Sequence, residues 1–384
     1  MGLGLALQPI PFIPVVTLAW GALLPALLRG LTVRARRIAL LVVLSAISTV
    51  ATDMLVGTPR PTMLKTLAQS IAFVVFFLAY SSLAAHLDRD GLITAVGFVG
   101  LGWAMAAFVF SPHVEGYSQW KYYMSSPVGL VVAVLAAKAW LVGHRALSYT
   151  VMLGFAAVLG FTGFRSYAVV FLLSALATAG AASSRVRRKW SARRIAVTAL
   201  AVLAAVYVFS FAANLGLFGA ATKTKWRSEG ASPVGVLFAA RPEFAVSAAL
   251  VPHHLVRGLG SEGRIGAEEF GVVADRARVE HPAERAALVD RLTRAGLDVH
   301  SALFQRWLQG GLPAAAAFLA ILWFCAVYLV RASPVDITPW GPLVTFMAVA
   351  LAWDMLFSPW TYFVGPIWGM YAAVVCAARP GSPS

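Results

Sequence analysis

The chain reads as an all-α protein: a polytopic transmembrane helical bundle with one large extracytoplasmic helical loop domain. Three observations predict this class. Hydrophobic residues make up 60% of the 384 positions, charged residues only 12%, and mean hydropathy is +0.77. Apolar runs of roughly 20 residues, the length that crosses a bilayer as a helix, recur along the chain. Alternating strand-like segments are missing, which argues against a membrane barrel.

Eleven apolar runs qualify as spans, with ten to twelve as the working range. They lie near 9–28, 38–56, 67–86, 91–110, 124–142, 149–163, 167–184, 195–212, 308–330, 340–357 and 361–378. The loops on one side, from Arg29 and Arg34 through Arg185 and Lys189 to Arg331 and Arg379, hold 14 basic residues. The short loops on the other side hold four: Arg60, Lys65, Lys121 and Arg165. The positive-inside bias makes the richer side cytoplasmic, with the C-terminus inside and the N-terminus outside the cytoplasmic membrane. The same bias explains much of the net charge of +15, so no nucleic-acid partner is expected. The N-terminus has neither a basic n-region nor a small-residue cleavage site, so no removed signal peptide is expected. Cys325 and Cys376 fall inside apolar runs and read as packing residues rather than a disulfide.

Four regions follow. Residues 1–148 form N-terminal transmembrane helices. Residues 149–212 form central ones with an outward hairpin. Residues 213–299 form the extracytoplasmic loop domain, and residues 300–384 the C-terminal helices. The loop domain holds 10 of the 16 acidic residues, 11 basic ones and three of the seven histidines. Within it, 232–250 and 281–296 read as amphipathic helices. The second starts near Pro282 and stops at Gly296. Between them HHLVRGLGSEGRIGAEEF carries four glycines and reads as a shaped loop. A structureless loop of this length is uncommon, so an ordered, functional domain is expected.

The residues suited to chemistry cluster toward the outer side. Arg165, in LGFTGFRSYAVVFLL, sits in a turn short enough to force a hairpin. A lone arginine at bilayer depth is costly and marks function, against the bland reading of a snorkelling side chain. Arg241, in FAARPEFAVSAAL, opens the apolar part of a loop helix. By itself it reads more readily as a solvated cation or a partner of Glu243 or Glu229. Arg257 precedes a glycine turn whose amides suit an anion, although a bare Gly-x-Gly is a weak signal. His300 and Arg306 lie in DVHSALFQRWLQGG, at the mouth of a span. Histidine titrates near neutrality and can act as a general base, against the reading of an interfacial ring bonded to a carbonyl. Asp53 and Asp354 lie near outer helix ends, placed to pair with an outer arginine or to assist a hydroxyl. His253 and His254 are adjacent and point different ways, so no metal site is expected. Walker A, HExxH and GxSxG patterns are absent, and no cofactor is implied.

The order of these features resembles the O-antigen ligase and O-antigen polymerase superfamily of bacterial membrane glycosyltransferases. The resemblance rests on TGFRS in the short hairpin, then an outer-loop arginine at a helix start. A Gly-x-Gly turn follows, and last a histidine leading into QGGLPAAAAFL. It covers about 150–330. Phe164 replaces a frequent serine, Ser301 a frequent asparagine, and Ala314 a glycine. The resemblance implies that Arg165, Arg241 and His300 are catalytic; Arg257, Arg306, Asp53 and Asp354 are substrate-binding candidates from their own positions in the sequence. It implies a polyprenyl-diphosphate-linked glycan donor and a glycan, lipid or protein acceptor. Transfer would be inverting and metal-independent, at the outer face of the lipid bilayer. The first outer loop, GTPRPTMLKT, has no acid, unlike many metal-dependent multispan glycosyltransferases. A ligase is the first expectation and a polymerase of lipid-linked repeat units the second. A transporter or flippase of lipid-linked sugars, without catalysis, is the competing class, and a scaffold with a docking loop is a third. No inverted repeat supports a transporter.

Overall fold

A computed structural model describes residues 15–23, 31–110, 124–182, 247–263, 299–331, 341–360 and 364–378, with isolated positions between them. Among the described residues every regular element is a helix. The elements are α1 (Val15–Ala22), α2 (Val33–Val56), α3 (Arg60–His86), α4 (Arg89–Phe110) and α5 (Ser125–Leu141). After them come α6 (Arg145–Phe161), α7 (Arg165–Ala182), α8 (Ala302–Arg331), α9 (Gly341–Phe357) and α10 (Val364–Ala377). Of these, α2, α3, α4 and α8 are long and apolar enough to cross a membrane, while α5, α6, α7, α9 and α10 are apolar but shorter. Nine predicted apolar runs fall on α2 to α10, although α2, α3 and α8 begin five to seven residues earlier than predicted. Of the span at 9–28, residues 15–23, 25 and 28 are described; that at 195–212 lies outside the described residues but for Phe211. The loop helix at 281–296 lies outside them, and of 232–250 only the last four residues are described.

The helix ends are set by local chemistry. Thr32 caps α2, its hydroxyl accepting from the Ala35 amide at 3.2 Å. Gly57 ends α2 in the left-handed conformation, φ +71°, and its amide donates to the Asp53 carbonyl. Pro61 then sits in the first turn of α3, where its missing N–H costs nothing. The hairpin α6–α7 turns on Gly163, φ +72°, with the Phe164 amide donating to Leu159 O at 2.9 Å. TGFRS is therefore a tight helical hairpin, and Arg165 is the first residue of α7.

Helix α9 is the centre of the bundle. Thirteen of its 17 residues are buried, as expected of a helix that is apolar on all sides. It packs on α5, α7, α8 and α10, while α2 packs on α8 and α3 on α10. The α3–α10 contact is extensive and close, because Gly365 and Gly369 form a Gly-x-x-x-Gly stripe facing α3. A Cβ on Gly369 would stand 2.4 Å from the Phe73 carbonyl oxygen, and one on Gly365 3.2 Å from that of Gln69. Small residues at this spacing let helix backbones touch. Cys325 and Cys376 are buried free thiols, as packing residues should be.

Candidate functional site

Helix α8 is not continuous. The sequence predicts a span from 308, but the helix begins at Ala302 and breaks at Gly310 (φ −140°, ψ 17°) and Gly311 (φ +72°, ψ −167°). The apolar-run criterion skipped the first turns because they carry Gln305, Arg306 and Gln309. The break has a chemical cause, since Pro313 has no N–H for the Gln309 carbonyl and glycine tolerates the positive φ.

The backbone groups freed by the break are satisfied from elsewhere, as buried polar groups must be. Leu259 and Gly260 donate their amides to the Leu308 and Gln309 carbonyls at 2.5 and 3.2 Å. The Leu312 amide donates to Leu255 O at 2.7 Å. From α2, Ser48 Oγ donates to Gly310 O at 2.7 Å and Ser45 Oγ to Ala314 O at 2.6 Å. The glycine turn at 255–263 is thus a backbone splint on the broken helix. It fits only without side chains. A Cβ at Gly258 would stand 2.4 Å from the Gln309 carbonyl carbon, and one at Gly311 1.9 Å from Val256 O. A small apolar cluster of Leu250, Val251, Val299 and Leu308 holds the same loop to the start of α8.

Asp53 secures the far side of this turn. It is 1% exposed, and its carboxylate accepts from both the amide and the hydroxyl of Ser261. Among the described residues no arginine lies within ion-pair distance of it, so its role is loop docking rather than the expected ion pair. Gly260 packs against Val56, Thr58 and Asp53, with φ +82°.

Arg306 is fully buried rather than poised at a helix mouth. One terminal nitrogen donates to the Ser70 hydroxyl of α3, the other to Gln309 Oε1 at 3.3 Å. Its guanidinium carbon stands 5.1 Å from the Trp360 ring centre and 5.8 Å from that of Phe318. Stacking of this kind suits a desolvated guanidinium. Among the described residues no carboxylate pairs with Arg306, and its Nε has no hydrogen-bond partner. Gln305 beside it accepts from the Trp360 amide at 2.7 Å. Trp360 packs on Trp368, whose Nε1 donates to Asp354 at 3.1 Å. Asp354 also accepts from Ser358 Oγ at 2.9 Å. It therefore fixes the aromatic wall beside Arg306.

His300 is partly exposed and stands one residue before the cap of α8. Ser301 is that cap. Its hydroxyl accepts from the Phe304 amide at 3.3 Å and donates to Met355 O at 3.2 Å, tying the start of α8 to the end of α9. Ser301 thus has a helix-capping role. Arg257 is exposed and lines a cavity of about 480 Å³ with His253, His254, Glu262, Gly57 and Thr58. His254 pairs with Glu269 at 3.4 Å. Arg241 lies outside the described residues, as does the side chain of Arg165.

The structure thus brings Asp53, Arg257, Arg306 and His300 to the two sides of one broken helix. Sequence reasoning missed Ser261, Ser70 and Gln309, and read Trp360 as part of an aromatic belt, whereas it packs on Arg306 and Trp368. The Gly-Gly-Leu-Pro inside an apolar run was the signal for the break, and the glycines of the loop were the signal for its splint. No protein-family model, curated protein or solved structure matches the chain.

Proposed function

We propose that the protein is a membrane glycosyltransferase of the O-antigen ligase type. It moves a glycan from a polyprenyl diphosphate to an acceptor hydroxyl at the outer face of the cytoplasmic membrane. The observation that supports this most is the splinted break in α8. It sets His300 and the cation-bearing loop on one platform, where a lipid-held group would meet a solvated one.

In this reading Arg165 and Arg241 grip the diphosphate, since a guanidinium binds phosphate oxygens in bidentate fashion. They stabilise the charge that builds on the leaving diphosphate, a task that needs no metal. His300 takes the proton from the acceptor hydroxyl as its oxygen bonds to the anomeric carbon. The bond from that carbon to the phosphate oxygen breaks on the opposite face, so the carbon inverts. Asp53 and Asp354 act as positioning residues, through the loop and through Trp368. A polymerase of lipid-linked repeat units would use the same groups.

The test is genetic and chemical. A deletion strain is complemented with wild type, Arg165→Ala, Arg241→Ala or His300→Ala at matched membrane levels, and its glycans are sized. Long chains stranded on the lipid carrier in all but the wild type indicate a ligase. Single repeat units accumulating there indicate a polymerase. A normal pattern with all three variants would overturn the site assignment.

A second reading has its own observation. Transporters build substrate sites at interrupted helices, and α8 is interrupted. A flippase of lipid-linked sugars would leave the glycan chemically unchanged but on the wrong side of the membrane when α8 is repaired by Gly311→Ala and Pro313→Ala together.

A further inference from the structure

Two cavities flank the same end of α2, and their linings differ in kind. The first is the polar cavity of about 480 Å³ at Gly57, Thr58, His253, Arg257 and Glu262. The second is a groove of about 560 Å³ between α2 and α3, walled by Val43, Ile47, Val50, Met54, Leu67 and Ile71. Its inner wall carries one polar side chain, Ser70, the acceptor of Arg306. Val43, Ile47, Met54 and Ile71 are 41–69% exposed, so the groove opens outward.

The two linings follow one another along α2. Positions 43, 47, 50 and 54 follow the three-and-four spacing of a single helix face and line the groove. Val56, Gly57 and Thr58, where α2 ends and turns toward α3, line the polar cavity. The change from apolar to polar falls between Met54 and Gly57. From Val43 to Met54 the groove is about 17 Å long, at 1.5 Å per residue. That is close to half of the roughly 30 Å hydrocarbon thickness, or one leaflet.

We propose that the cavity and the groove are one binding site for an anionic glycerophospholipid with a phosphoglycerol head. One acyl chain fills the groove. The phosphate meets Arg257, which makes no ion pair among the described residues. Arginine suits a phosphate, and the Glu262 carboxylate accepts from the glycerol hydroxyls. A long polyprenyl chain would overrun a groove that ends at Val43. The bound lipid bridges the α2–α3 turn and the loop at 255–263. It therefore stabilises the splint on α8. The site shares the loop at 255–263 with the transferase reading, but its test reads lipid retention rather than glycan transfer, so the two fail separately.

The test uses the full chain in nanodiscs of phosphatidylcholine, with or without phosphatidylglycerol of the same acyl chains. Native mass spectrometry after mild delipidation counts retained lipids, and hydrogen exchange follows residues 255–263. The expected result is retention of phosphatidylglycerol at least tenfold over phosphatidylcholine, with slower exchange in the loop. Arg257→Ala should remove the head-group preference and Arg257→Lys should keep most of it. Ala51→Trp, which fills the groove from an exposed position, should abolish retention of both lipids. Equal retention of the two lipids by wild type would overturn the proposal. So would retention indifferent to Arg257→Ala and Ala51→Trp, or displacement of phosphatidylglycerol by an equimolar polyprenyl phosphate.

Discussion

Ser261 gives both its backbone amide, at 2.5 Å, and its hydroxyl, at 2.8 Å, to the carboxylate of Asp53, 208 positions earlier in the chain. Both atoms of one residue converge on one buried anion, so the loop has a single docked position on the end of α2. The sharp turn that makes this possible needs the positive φ of Gly260 just before it.

Replacing Asp53 by Ala should therefore release the loop without unfolding the bundle. Two hydrogen bonds to a charged acceptor are lost, a cost of about 2–4 kcal/mol. Amide exchange at Leu259, Gly260 and Ser261 should speed up by roughly 30-fold or more, while α9 stays protected. Asp53→Asn keeps an acceptor for the Ser261 amide and should give a smaller effect. Unchanged exchange in the loop of Asp53→Ala would show that the carboxylate does not hold it.

Gly258→Ala should act on α8 rather than on the loop alone. The new methyl would meet the Gln309 carbonyl carbon at 2.4 Å, so the Leu259 and Gly260 amides must leave the Leu308 and Gln309 carbonyls. Stranding these groups costs about 1–3 kcal/mol each. A drop in Tm of the purified protein, with faster proteolysis near 255–263, is the expected result. A variant as stable as wild type would mean that the splint is dispensable.

Arg306 separates stability from function. Arg306→Met keeps the volume and the packing on Trp360 and Phe318 but removes a buried charge. No carboxylate pairs with that charge among the described residues, so its removal relieves a desolvation cost that opposes the loss of the hydrogen bonds to Ser70 and Gln309. The Tm of Arg306→Met should stay close to that of wild type, while glycan transfer in the complementation assay is lost. Arg306→Ala leaves a cavity and should cost about 2–5 kcal/mol, the range for large buried side chains. Full complementation by Arg306→Met would reduce the guanidinium to a packing group.

The Gly-x-x-x-Gly stripe predicts an order of severity. Gly369→Ala forces α3 and α10 apart against the Phe73 carbonyl and should cost about 1–3 kcal/mol. Gly365→Ala meets its neighbour at 3.2 Å rather than 2.4 Å and should cost less. Thermal unfolding in one detergent ranks the two. The reverse order would contradict the packing described for this interface.

Much of the fold was legible because apolar length is written locally. Nine apolar helices, the TGFRS hairpin and the buried thiols follow from hydropathy and turn chemistry alone. The start of α8 was not, since Gln305, Arg306 and Gln309 read as polar loop until Ser70 and Trp360 are folded against them. Neither was the role of Asp53. Its position near a helix end suggested an ion pair, but its partner is a serine 208 residues away, and no local pattern encodes that distance. The glycines of the loop were noticed as a turn. That Gly258 stands where a side chain would strike α8, and Gly260 where one would strike the end of α2, is visible only in three dimensions.

The hydroxyls of α2 have a bearing on how the chain is made. Ser45 and Ser48 find their acceptors at Ala314 and Gly310, 269 and 262 residues later. At ribosomal speeds that interval is on the order of tens of seconds. During it the α2–α3 hairpin carries an unfinished polar face, a natural foothold for a chaperone. The last third of the polypeptide then completes a helix made near its start. Ribosomes stalled before residue 300 should hold that hairpin in a form still open to cross-linking at Ser45, and release should close it.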